Sequence, residues 1–220
     1  MPSYFVFAWV FVILFTLIWK KDTSAKCLAI KTAIQFPWFI YLCIMNLSYK
    51  HLLPGDFAPD SRVWIYQSSR LFAMGEALQI EELLEHFVKN WKSHGEDVKG
   101  AAYLFFGQFI ILMADEKATG VSGCSTDSSV RLIKEIENLY KVNLFDRQSL
   151  AFVIKDKIQI LPLAQLNYAV ENNFINADTL YFNNTALNKQ ELENKWLIPV
   201  KDSWLSKRLS SDVLKKQKQA

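Results

Sequence analysis

The chain has no glycine-rich phosphate loop. None of its seven glycines opens a G-x-x-x-x-G-K-[ST] pattern, and without such a loop an ATP phosphate chain has no cradle of amides and lysine. No G-x-S-x-G elbow marks a serine hydrolase. Histidine is scarce, and neither His86 nor His94 has a second histidine or a cysteine three or four residues away. With no close pair of cysteines either, no metal site and no cofactor are expected. Cys124 is the one cysteine after His51. That part of the chain cannot close an internal disulfide and is not built for an oxidising compartment. Positive charge is short where nucleic acid would need it. Residues 52–200 carry fourteen basic against nineteen acidic residues, a net −5, so no phosphate backbone is expected as a partner.

Long apolar runs are present, and only at the front. Residues 4–19 read YFVFAWVFVILFTLIW, and residues 32–47 read TAIQFPWFIYLCIMNL. Lys20, Lys21, Lys26 and Lys31 lie between or beside them, with Asp22 the one acid of the segment. Each run approaches the length of about 17–20 residues that a spanning helix needs. Residues 1–51 are therefore expected to form a two-helix membrane hairpin through residues 4–47, its basic loop facing the cytoplasm. A second reading stays open, in which translation starts near Met45 and the domain is cytoplasmic. Residues 52–205 read as an α+β domain, and residues 206–220 as a basic tail with Lys207, Arg208, Lys215, Lys216 and Lys218.

The domain punctuates itself clearly. Residues 62–67, RVWIYQ, predict a strand. Ile80, Leu83, Leu84, Phe87, Val88 and Trp91 recur at helical spacing and predict a helix over 76–91, ended by His94-Gly95. Two apolar runs, 101–106 and 109–114, flank Gly107-Gln108 and predict a hairpin. A second helix is expected over 127–140, with Val130, Ile133, Ile136 and Tyr140 inward and Ser125 or Thr126 as cap. A strand pair follows around Lys155-Asp156. Pro162 opens a third helix to about Asn173, residues 179–182 form a last strand, and Asn188-x-x-Glu191 caps a short helix ending before Pro199. The first six elements match a ferredoxin-like, split βαβ arrangement. The expected fold is an α+β sandwich of that kind, helices on one face, with an extra C-terminal strand-helix-strand. Trp196 and Trp204 are expected to pack back onto the domain as a clasp.

Two stretches could carry chemistry. The strand at 109–116 ends in Asp115-Glu116, as ATPase strands end in a metal-binding Asp and a water-positioning Glu. The missing phosphate loop argues against that activity. The stretch Gly120 to Ser129 brings small residues to a helix N-terminus, where free amides attract anions and lower a thiol pKa. Cys124 is the candidate catalytic thiol. Gly123, Cys124, Ser125, Thr126, Ser128 and Arg131 are the candidate anion site. Arg131 follows Cys124 by seven residues, one too many for the C-x5-R loop of thiol phosphatases. The same serines could instead only cap the helix, with Cys124 a small buried hydrophobe.

Several stretches together resemble a small bacterial family typical of Bacteroidetes. They are LPGDFAPDSRVWIYQSSR (53–70), NWKSHG (90–95), FIILMADE (109–116), SGCSTDSSVRLIKEIENLYKVNLFDR (122–147), TLYFNN (179–184) and W-x-x-P-x-x-x-SW (196–204). The resemblance spans roughly residues 52–208. Members are often labelled "ABC transporter ATPase", begin shortly before the LPGDFAPDSRVW region and lack a hydrophobic front. The resemblance thus favours a start near Met45, and it carries over no catalytic residue. Three functions are weighed. The first is a non-enzymatic binding or accessory domain for a protein or small-molecule partner. The second is a thiol-dependent or anion-binding enzyme centred on residues 123–129. The third is a nucleotide-binding ATPase.

Overall fold

Residues Phe109–Ala114, FIILMA, are all buried, as an unbroken apolar run requires of a strand covered on both faces. The fold builds outward from this strand. A computed structural model describes residues 46–117 and 123–208, without the side chain of Cys124. Residues 4–45 of the expected membrane segment 4–47, the candidate loop residues 120–122 and most of the basic tail lie outside the described residues. Among the described residues no helix is long and apolar enough to cross a membrane.

The first half reads β1 (Arg62–Gln67), α1 (Met74–Lys89), β2 (Lys92–Ser93), β3 (Glu96–Asp97), β4 (Gly100–Phe105), β5 (Phe109–Ala114) and α2 (Gly123–Tyr140). The second half reads β6 (Ser149–Ile154), β7 (Lys157–Pro162), α3 (Leu166–Glu171), β8 (Leu180–Phe182), α4 (Lys189–Lys195) and β9 (Leu197–Pro199). Among the described residues these strands form three antiparallel sheets, in the orders β1-β5-β4, β2-β3 and β7-β6-β8-β9. The protein is an α+β fold.

The order β1-β5-β4, with α1 crossing between the outer strands, is the split βαβ pattern read from the sequence. The strand that would complete a four-stranded ferredoxin-like sheet, β6, pairs with β7 and β8 instead. The free edge of β1 is met near Arg62 by a bridge to Asn188 and by the Val63 amide donating to the Leu187 carbonyl at 2.9 Å.

Alternation of side chains along the strands assigns the layers. Tyr66, Ile110 and Leu112 face Ile80 and Leu84 of α1 and Ile133 and Ile136 of α2. Val63, Ile65, Phe109, Ile111 and Met113 face the other way, onto Ala151 and Phe182 of the second sheet and onto Trp196. The second sheet turns Leu150, Phe152 and Tyr181 toward Leu166, Ala169 and Val170 of α3, with Val200 and Leu205. The sequence reading placed helices on one face of a single sheet. The other face is covered by a second sheet rather than by solvent, because β6 and β8 each carry apolar residues on both sides.

Local corrections are few and have physical causes. The helix ends at Lys89, not Trp91, and His94-Gly95 serves a hairpin. His94 (φ 53°) and Gly95 (φ 90°) are the two central residues of the β2–β3 turn, and both positions require positive φ. The β4–β5 link turns on Phe106 (φ 55°) and Gly107 (φ 61°), one residue earlier than the Gly107-Gln108 link read from the sequence. The β6–β7 link turns on Lys155 and Asp156, as read from the sequence (φ 51° and 56°). Pro162 closes β7, and a 3-10 turn at Leu163–Gln165 leads into α3. Asn188 caps α4, its Oδ1 accepting the Glu191 amide at 2.8 Å.

Candidate functional site

The sequence-chosen site lies on α2, and the structure makes most of it helix. Gly123, Cys124, Ser125, Thr126 and Ser128 are the first turns of α2, which begins four residues earlier than expected. Ser125 and Thr126 are therefore inside the helix rather than capping it. Ser125 is fully buried, and its carbonyl accepts the Trp91 indole N–H at 3.0 Å. The hydroxyls of Ser128 and Ser129 donate back to the carbonyls of Ser125 and Thr126, both at 2.7 Å. Arg131 is exposed and stands seven residues beyond Cys124, about 10 Å along the axis at 1.5 Å per residue. The arrangement ties α2 to the end of α1.

Asp115 and Glu116 are also brought into ion pairs. Asp115 meets Lys99 at 3.1 Å, and Glu116 meets Arg62 at 3.4 Å. Burial pushes Asp115 up, but the Lys99 ammonium and the Lys117 amide outweigh it and hold the carboxyl below its ordinary value. Among the described residues no group of three or more His, Cys, Asp or Glu is placed to hold a metal ion.

A cavity of about 110 Å³ opens elsewhere, where β6 and β8 separate. These strands pair only through Phe152–Tyr181 and Val153–Leu180. Past that point the side chain of Gln67, the last residue of β1, bonds to both segments. Gln67 Nε2 donates to the Ser149 carbonyl at 3.3 Å, and its Oε1 accepts from Asn184 Nδ2 at 2.7 Å. Asn184 Oδ1 in turn accepts the Trp196 indole N–H at 3.1 Å. The direction of this chain is fixed by its ends. An indole N–H can only donate and a backbone carbonyl can only accept, so both amides between them have one orientation.

The rest of the wall is set by short-range turns. Asp146 accepts from the Gln148 amide at 2.7 Å and from the Ser149 hydroxyl at 2.5 Å. The Ser149 and Gln148 bonds hold its carboxyl below the ordinary value. This folds the loop before β6 and leaves Arg147 exposed at its tip, lining the cavity with no ion pair among the described residues. Leu144, Ile65 and Leu150 supply apolar wall. Thr185 stands exposed at the rim, its hydroxyl donating to Asn183 Oδ1 at 2.7 Å.

Two aromatic groups complete the lining, Tyr181 of β8 and Trp204 of the C-terminal 3-10 turn Trp204–Lys207. Tyr181 is 3% exposed, and burial pushes its hydroxyl up to about 12, with the Trp204 indole pulling the other way. The two do not close into an aligned bond: Trp204 Nε1 is buried without an acceptor. A buried donor left unmet costs about 1–3 kcal/mol.

None of these residues was a candidate from the sequence. One signal pointed to them: Gln67, Asp146, Arg147, Asn184, Trp196 and Trp204 all fall within the stretches quoted for the family resemblance. The chain matches no family model, no curated protein and no solved structure.

Proposed function

We propose that residues 46–208 are a non-enzymatic binding domain whose ligand occupies the cavity between Gln67, Arg147, Tyr181 and Trp204. The observation that carries this reading is the pattern of satisfaction in the wall. The Gln67 and Asn184 amides and the Asp146 carboxylate are engaged by the protein itself. Tyr181, Trp204 and Arg147 line the same space, and Arg147 makes no ion pair among the described residues. A fully engaged polar frame around apolar and aromatic walls and one unpaired cation is the arrangement of a preformed binding site. The lining contains no histidine and no cysteine, its carboxylate Asp146 is engaged by Gln148 and Ser149, and its Thr185 hydroxyl donates to Asn183, which favours binding over group transfer. With residues 4–47 translated, the domain would do this work at a membrane.

The test uses the purified full chain and a panel of small acids, amides, sugars and nucleotides. At least one compound should raise Tm and be recovered chemically unchanged. Thr185→Trp, which carries bulk over the rim from an exposed position, should abolish the gain without lowering the ligand-free Tm. A compound recovered altered, or a gain untouched by Thr185→Trp, would overturn the reading.

A further inference from the structure

We infer that the free edge of β4 pairs with the same edge of a second copy of this chain. The order β1-β5-β4 leaves β4 at one end of its sheet. Backbone groups alternate in direction along it. The Lys99 carbonyl accepts the Asp115 amide on the β5 side at 2.9 Å, and the Val98 amide donates the opposite way, to the Trp91 carbonyl at 2.9 Å. Gly100, Ala102 and Leu104 therefore turn their amides and carbonyls away from β5. Among the described residues no hydrogen bond reaches these groups. The other edges are managed. That of β1 is met by Leu187 and Asn188. β7 opens on Lys157 and ends on Pro162, and β9 is three residues long and ends on Pro199. Lysine, proline and shortness are the usual guards of an exposed edge. β4 is six residues, GAAYLF, with neither charge nor proline. Lys99 beside it is held by Asp56 at 3.0 Å and by Asp115 at 3.1 Å.

The edge selects its own copy by length and by shape. Trp91 occupies it at Val98, and the turn at Phe106 and Gly107 closes the other end. What stays open is a slot of β4's own length. Across a two-fold axis at Ala102, antiparallel copies set Gly100 against the partner's Leu104 and Ala102 against the partner's Ala102. Each such pair exchanges two hydrogen bonds, so every open group is met. Between these pairs Tyr103 stands opposite the partner's Ala101. Each large side chain thus faces a small one, and no charge meets a like charge. A register shifted by two residues is worse either way. One shift sets Tyr103 against itself and Gly100 against the turn. The other sets Leu104 against Val98, whose amide is already taken. The contact is isologous and closes, and it joins two three-stranded sheets into one of six strands.

The experiment is sedimentation of the full chain over a dilution series, with amide exchange followed by NMR at its two ends. The chain should sediment as a dimer that dissociates on dilution. The Gly100, Ala102 and Leu104 amides should exchange about tenfold more slowly at the concentrated end, with no change along the outer edge of β7. Ala102→Pro removes the central donor of the free edge and breaks no bond to β5, a position where an edge strand tolerates proline. By symmetry it deletes both central bonds and should weaken the dimer about tenfold or more. A chain that is monomeric at every concentration, or a dimer that Ala102→Pro leaves as tight, would overturn the inference. Should that variant fail to fold, the wild-type exchange decides: equal rates for the three amides at both ends of the series would overturn it.

Discussion

The two faces of the β1-β5-β4 sheet are equally buried and held by different means. On the helix face, Ile80, Leu84, Ile133 and Ile136 meet Ile110 and Leu112, and aliphatic side chains make the centre, with the ring pairs Tyr66–Phe145 and Phe72–Tyr140 beside it. On the sheet face, rings dominate. Tyr49, Phe105, Phe106, Phe109 and Phe182 all lie within 6 Å of the Trp196 ring. The Tyr49 hydroxyl donates to the Leu192 carbonyl at 2.7 Å, and the Trp196 indole starts the amide chain through Asn184 and Gln67. An aliphatic face needs only the right period and volume. An aromatic and polar face needs particular partners from four distant segments, and the cavity opens beside that one.

Substitutions on each face should separate the two. Trp196→Ala should be the most damaging. It removes the fully buried hub of the ring cluster, and large aromatic-to-alanine changes cost about 3–5 kcal/mol. Urea unfolding should show a collapse of the midpoint, and a loss under about 1 kcal/mol would mean the rings are not the tie between the sheets.

Gln67→Leu comes next. It fills similar space but leaves the Asn184 amide and the Ser149 carbonyl without their partners, for about 2 kcal/mol. A near-neutral result would show that water replaces the amide chain. Ile133→Val, on the helix face, should cost about 1 kcal/mol with no effect on the cavity.

The smallest effect belongs to the exposed edge of α1. Glu76 is held down to about 2, first by Arg70, whose guanidinium meets it at 2.7 Å, and then by the Ala73 amide. Its folded pKa lies below its ordinary 4.5. Its stabilising contribution is therefore complete above that ordinary value and fades as pH falls toward about 2. Thermal melts from pH 6 to pH 2 should converge for the wild type and Glu76→Gln at the acid end and separate at the neutral end. Parallel curves would contradict the pairing.

The same contrast explains what could be read from sequence. The helix face was legible because Ile80, Leu84, Ile133 and Ile136 declare it by spacing alone. The turn at Lys155-Asp156 was legible because two polar residues interrupt two apolar runs. The start of α2 was not, since Gly123 to Thr126 are poor helix formers read as a loop and cap. Tertiary contacts override that propensity, with Ser125 and Ser129 buried and Trp91 bonded to the first turn. The second sheet was hidden because nothing local says whether β6 pairs with β1 or with β8. The cavity was hidden for the same reason. Gln67 and Asn184 read as ordinary polar strand ends, and only the fold makes them partners.

The most direct measurement is hydrogen exchange of the two indole N–H groups, Trp196 and Trp204, in the ligand-free full chain. Trp196 should exchange only through global unfolding, because its N–H is bonded inside the joint between the sheets. Trp204 should exchange faster, its buried N–H having no acceptor to hold it and its ring lining the cavity. A Trp204 as protected as Trp196 would mean that the cavity is closed and its donor already satisfied, and a fast Trp196 would mean that the amide chain does not hold the sheets together.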